Sequence, residues 1–154
     1  MEAREGPPLA CVSGGPSDGL VVWEAARIAR ALGHGMVVLL HVVDTGLLPG
    51  APDSLEGRAA LQALRLRAVE ALEAAAALAG RLGVEALPVA REGSPCREIA
   101  GLAESARPPV VVVGYSDRGR ELGSTAACVL ARYRGTVLVA KPGGHVKPRR
   151  GEGG

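Results

Sequence analysis

Apolar positions in this chain fall into two alternating kinds of stretch: short unbroken runs, and longer segments that repeat every three to four residues. Residues 9–13, 36–43, 110–113 and 136–140 are runs with almost no polar interruption. A strand with one wet face alternates, whereas a run apolar throughout predicts a strand buried on both faces, as in a parallel sheet covered by helices. Residues 85–90 do alternate and contain Pro88, which suits an edge strand.

Helical spacing fills the gaps between these runs. Val22, Ala25, Ala26, Ala29 and Leu32 form one stripe, opened by Ser17 or Asp18 as N-cap and closed by the glycines around His34. Ser54 opens a second helix reaching Leu82, with Leu61, Leu64, Ala68, Leu72, Ala75, Ala79 and Leu82 inward and Arg65, Glu70 and Glu73 toward water. Pro95 suits the first turn of a third helix through Ile99 and Leu102. A fourth runs from Ser124 to about Arg132. Five strands alternating with four helices, joined by right-handed crossovers, predict an α/β fold: a single-domain open parallel sheet with helices on both faces. The domain spans 9–140. Residues 1–8 read as a frayed terminus and 141–154 as a disordered basic tail.

The fourth run ends in Gly114, followed by a polar loop with Gly119 and Gly123, and Ser124 and Thr125 then open a helix. Loops at the carboxyl ends of parallel strands are where open α/β sheets bind ligands, and free N–H groups at a helix start favour anions. A reversal of strand order between the first and fourth strands places the loops after Ser13 and after Gly114 in one crevice.

Composition narrows the function classes. The chain has 154 residues and a net charge of +2, no Phe, one Trp and two Tyr. Charge and aromatic content therefore offer no basis for nucleic-acid binding, and no apolar run is long enough to span a membrane. Asn is absent and Gln occurs once, which fits a hot habitat or a GC-rich genome equally. Cys11, Cys96 and Cys128 are odd in number and form no CxxC pair, so the sequence suggests neither a disulfide nor a zinc site; reduced thiols fit the cytoplasm. Cys96 reads as inert and Cys128 as a small core residue. His41, inside an apolar strand, reads as a satisfied structural histidine.

Taken together, these pieces make the chain resemble the universal stress protein family from about Leu9 to Ala140. The matching residues are Leu39 to Val42 closing the second strand, Glu92, Gly93, Pro95 and Ile99 entering the third helix, the Gly114 strand end, and Gly123 and Ser124 followed by Val137 to Val139. The resemblance implies a Rossmann-like sheet of strand order 3-2-1-4-5, a homodimer through residues 136–140 and, in many members, bound ATP or AMP. An apolar strand at a sheet edge supports dimerisation on physical grounds as well. The sequence departs from the ATP-binding pattern G-x2-G-x9-G-[ST] at two points. Asp117 stands where the second glycine falls, and Gly14 stands where members carry an aspartate. Losing one charged hydrogen-bond partner costs ~1.5–3 kcal/mol, about ten- to a hundred-fold in affinity.

The expectation is therefore a cytoplasmic homodimeric binding module that takes ATP or AMP (with Mg) weakly. Gly114, Gly119, Gly123, Ser124 and Thr125 hold phosphates, Arg118 and Arg120 add positive charge, and Ser13, Gly14 and Val42 border base and ribose. No residue is assigned a catalytic or metal-ligating role. A nucleotide-free homodimeric member acting through protein contacts is the second reading. Slow ATP hydrolysis is the third: the loop from Ser13 to Asp18 is similar to the SGGxDS loop with which PP-loop ATP pyrophosphatases wrap pyrophosphate, though with its last two residues transposed.

Overall fold

A computed structural model describes residues 6–116 and 121–142. The elements are β1 (Leu9–Cys11), α1 (Asp18–Ala31), β2 (Met36–Asp44), a 3-10 turn (Thr45–Leu47), α2 (Leu55–Arg81), β3 (Glu85–Gly93), α3 (Pro95–Ala106), β4 (Val111–Gly114), α4 (Ser124–Arg132) and β5 (Val137–Ala140). All strands pair in parallel in the order β3-β2-β1-β4-β5. The fold class is as the sequence pattern predicts, and the strand order is the one the family resemblance implies.

Period-two geometry explains the unbroken apolar runs. Ala10, Leu39 and Val112 point to the face covered by α1 and α2, while Leu9, Leu40 and Val111 point to the face covered by α3 and α4. Both sets are buried, so neither face tolerates a polar alternate. Val21, Val22, Ala25, Ala26 and Ala29 of α1 are also buried, their small side chains letting the helix lie close on the sheet. Leu32 is an exception to the expected stripe and is exposed. Gly33 follows α1 at φ +75, a left-handed turn that favours glycine at a helix end.

In α2, the Ser54 hydroxyl accepts the Gly57 N–H at 3.0 Å, as an N-cap should. Burial along α2 is concentrated in its second half, at Ala68, Ala71, Leu72, Ala75 and Ala79. Leu61 and Leu64 are only half-buried. The edge strand β3 is longer than its alternating core suggests, pairing with β2 through Arg91, Glu92 and Gly93. Pro8, placed with the terminal segment in the sequence reading, has a fully buried side chain, and its carbonyl accepts the Val38 N–H. The 143–154 part of the basic tail lies outside the described residues. Among the described residues, no helix is long and apolar enough to cross a membrane.

The cysteine reading is corrected. Cys96 and Cys128 form a disulfide with Cα atoms 5.9 Å apart, and Cys11 is the free cysteine. They lie 32 residues apart in sequence, so no local motif announces them. Their pairing follows from α3 and α4 packing side by side on one face of the sheet.

Candidate crevice at the β1 and β4 strand ends

Where β1 and β4 lie side by side, their outgoing loops diverge to opposite faces and leave a crevice of about 910 Å³. Ser13, Gly14, Val42, Gly114, Gly123, Ser124 and Thr125 all border it. Arg118, Gly119, Arg120 and Asp117 lie outside the described residues. Sequence reasoning therefore brought together seven of its candidates in one place.

The two loops are tied to each other directly. Ser17, buried at the start of α1, donates its hydroxyl hydrogen to the Ser116 carbonyl at 3.2 Å. A Cβ on Gly114 would stand 2.9 Å from Ser17 Cβ, closer than carbon atoms tolerate. Glycine at 114 is thus required for β4 to approach α1, independently of any ligand. Gly123 donates its N–H to the Tyr115 carbonyl at 2.6 Å, and a Cβ there would come within 3.2 Å of the same oxygen. This contact fixes where α4 begins. Among the described residues no side chain caps α4, and its first turn borders the crevice beside the hydroxyls of Ser124 and Thr125.

The first loop behaves differently from the sequence reading. Asp18 does not cap α1. Its carboxylate turns back to accept the Ser13 N–H at 2.8 Å, the Gly14 N–H at 2.7 Å and the Ser13 hydroxyl at 3.3 Å. Gly15 donates its N–H to Ser13 Oγ at 3.1 Å. The N–H groups of this turn, which the pyrophosphate comparison needs free, therefore have internal acceptors. Gly14 sits at φ +84, the left-handed conformation that aims its N–H at Asp18. An acidic residue five positions after a strand-ending serine, across a glycine turn, was the available signal.

His41 lies behind Asp18. Its Nδ1 is 3.0 Å from the Val12 carbonyl, and because that oxygen only accepts, Nδ1 carries the hydrogen. Nε2 is then the acceptor of the neutral ring, and His41 borders the crevice. Burial holds the His41 pKa below its ordinary 6.5, against the Val12 hydrogen bond and Asp18, which raise it, with Arg67 of α2 adding to the lowering. Asp18 is raised above its ordinary 3.8 by burial, against the lowering influence of the Ser13 and Gly14 hydrogen bonds and of His41.

These shifts set a pH dependence. Below pH 6.5 the unfolded chain binds a proton that the folded imidazole refuses, so His41's contribution is full above 6.5 and declines as pH falls toward the folded value. Asp18 runs oppositely, contributing stability below 3.8 that is lost as pH rises through its raised value. In His41→Asn the amide nitrogen can keep the bond to the Val12 carbonyl without titrating. Urea unfolding across the window below pH 6.5 is expected to show a flatter decline in this variant than in the wild type; equal slopes contradict the assignment.

Among the described residues no group of three or more His, Cys, Asp or Glu is arranged to hold a metal ion. The crevice instead offers uncapped helix N–H groups and hydroxyls at one end, the Asp18–His41 pair at the other, and an apolar floor at Val42 and Ile99. That arrangement suits a ligand with an anionic end and a flat, mostly apolar body.

Comparison with known proteins agrees with the fold. The model of the Universal stress protein family matches residues 9–141. Among solved structures, the universal stress protein UspA from Lactobacillus plantarum is 20% identical, with a TM-score of 0.78 over 91% of this chain and 100% of that one. A universal stress protein from Archaeoglobus fulgidus in complex with dAMP is 22% identical, with a TM-score of 0.67 over 88% and 98%. A universal stress protein family protein from Arabidopsis thaliana with AMP bound is 20% identical, with a TM-score of 0.62 over 87% and 90%. No curated protein sequence matches the chain.

Proposed function

The chain belongs to the universal stress protein family, and from that premise we propose that its crevice binds an adenine nucleotide, AMP or ATP, as a binding module in a stress response. One observation carries the reading: the uncapped start of α4, the β1 loop and the end of β2 open on a single crevice of about 910 Å³. Phosphate oxygens accept from the first-turn N–H groups of α4 and from Ser124 and Thr125. Ser13, Gly14 and Val42 are assigned to base and ribose, and the phosphate roles read in the sequence for Arg118, Gly119 and Arg120 belong to the same proposal. The dAMP and AMP found in proteins of the same fold support the choice of ligand class. With the Ser13 and Gly14 N–H groups already engaged by Asp18, phosphates are directed to the α4 end. The same engagement counts against hydrolysis at that loop and favours, as a second reading, a nucleotide-free member acting through protein contacts. In either case β5, the last strand of the sheet, pairs through its outer edge with a second copy.

Calorimetry with AMP and with Mg-ATP tests the proposal. Dissociation constants of roughly 10 μM to 1 mM are expected. Removing both hydroxyls in Ser124→Ala/Thr125→Ala should weaken binding about ten-fold, the worth of one or two hydrogen bonds. Absence of heat at millimolar nucleotide selects the second reading.

A further inference from the structure

We infer that Cys96 and Cys128 form a thiol–disulfide exchange site, reduced by dithiols and reoxidised by low-molecular-weight disulfides, whose state sets how tightly the adjoining crevice holds its nucleotide. The inference rests on the nucleotide reading above and adds its regulation.

Position is the first argument. Cys96 is the second residue of α3, next to Pro95, which lines the crevice. Cys128 lies four residues after Ser124, one turn along the same face of α4. The bridge therefore joins the two helices directly behind the wall to which phosphate is assigned. How α4 is held is the second argument. It has nine residues, of which Ala126 and Val129 are the buried ones, so beyond these and the Gly123–Tyr115 hydrogen bond little holds it to the sheet. A covalent tie to α3 supplies what packing does not. Exposure is the third. Cys128 is half-buried and Cys96 buried, so an attacking thiolate reaches Cys128 and expels Cys96. Cys96 leaves in the first turn of α3, where N–H groups and the helix dipole stabilise a thiolate. Cys11 takes no part: burial pushes its thiol up to about 12, keeping it protonated.

The exchange balances as follows. A dithiol's thiolate bonds to Cys128 Sγ as the Cys96–Cys128 bond breaks, and Cys96 departs as thiolate and takes up a proton. The second thiol of the reagent then displaces Cys128 and closes the reagent's own cyclic disulfide. Two electrons and two protons pass to the protein. Reoxidation by a small disulfide reverses this and releases two small thiols.

With the bridge closed, the first turn of α4 is fixed relative to α3 and nucleotide binds to a preorganised wall; with it open, ordering that wall reduces affinity. The test is calorimetry of the full chain with AMP, oxidised with glutathione disulfide or reduced with dithiothreitol, the thiol state being read by maleimide labelling and mass spectrometry. The oxidised form is expected to bind roughly five- to ten-fold more tightly. Cys96→Ser/Cys128→Ser should match the reduced form and ignore both reagents, while Cys11→Ser should respond like the wild type. Equal affinity in the two wild-type states overturns the coupling while leaving nucleotide binding intact. Failure of the two cysteines to interconvert overturns the exchange site whatever the affinity. No binding in either state overturns the nucleotide reading, and the regulation with it.

Discussion

Reducing the Cys96–Cys128 bridge should lower the unfolding free energy by about 3–4 kcal/mol. The bridge closes a loop between residues 32 positions apart. In the chain-entropy account a 15-residue loop is worth ~3 kcal/mol and a 100-residue loop ~4.7, so this one falls between. For a domain of this size the melting temperature should drop by roughly 10 °C. The loss should fall mainly on α3 and α4, because the opposite face has its own core of Val22, Ala25, Leu39 and Leu72. Differential scanning calorimetry with and without dithiothreitol measures it directly, with Cys96→Ala/Cys128→Ala as the reagent-independent control. Unchanged melting after complete reduction would mean that packing alone holds the two helices.

Asp18→Ala should move two properties in opposite directions. Its carboxylate satisfies the Ser13 and Gly14 N–H groups and the Ser13 hydroxyl. Burial already outweighs these bonds for the ionised carboxylate, so the cost of truncation lies in the donors left without an acceptor, ~1–3 kcal/mol each, part of which water recovers. A net loss of about 2 kcal/mol is expected, read from urea unfolding at pH 7. Anion binding should meanwhile strengthen. Removing a negative charge that borders the crevice lifts its repulsion of a phosphate, and a gain of a few-fold in affinity, on the order of 1 kcal/mol, is expected. Unaltered stability would show that solvent serves those N–H groups equally well. Weaker nucleotide binding would show that Asp18 itself holds the ligand, through a ribose hydroxyl for example.

Hydrophobic patterning made most of the scaffold legible, because a strand buried on both faces leaves an unbroken run and a helix on one face leaves a stripe. Local chemistry was legible for the same reason: Ser54, Gly33 and Pro95 act on backbone groups within a turn of themselves. The crevice followed from strand order, since adjacent β1 and β4 must release their loops to opposite sides. Contacts between distant segments were not legible. The disulfide requires α3 and α4 to lie together. Gly114 owes its identity to Ser17, 97 positions earlier, as much as to any phosphate. Asp18 looked like a helix cap because Asp is favoured there; only the left-handed turn at Gly14 shows that the carboxylate faces back toward β1. The last turns of β3 were hidden because Arg91 and Glu92 on an edge strand carry the polarity of a loop. Part of that polarity is paired at the surface, Glu92 with Arg65 and Arg91 with Glu98.

On the proposed reading, one ligand engages both strand-end loops at once. Titrating isotopically labelled protein with AMP while following backbone amide resonances tests it most directly. Concerted shifts at Ser13, Gly14, Val42, Gly123, Ser124 and Thr125 along one saturation curve are expected. Shifts confined to one loop, shifts elsewhere on the surface, or none at millimolar AMP would contradict it.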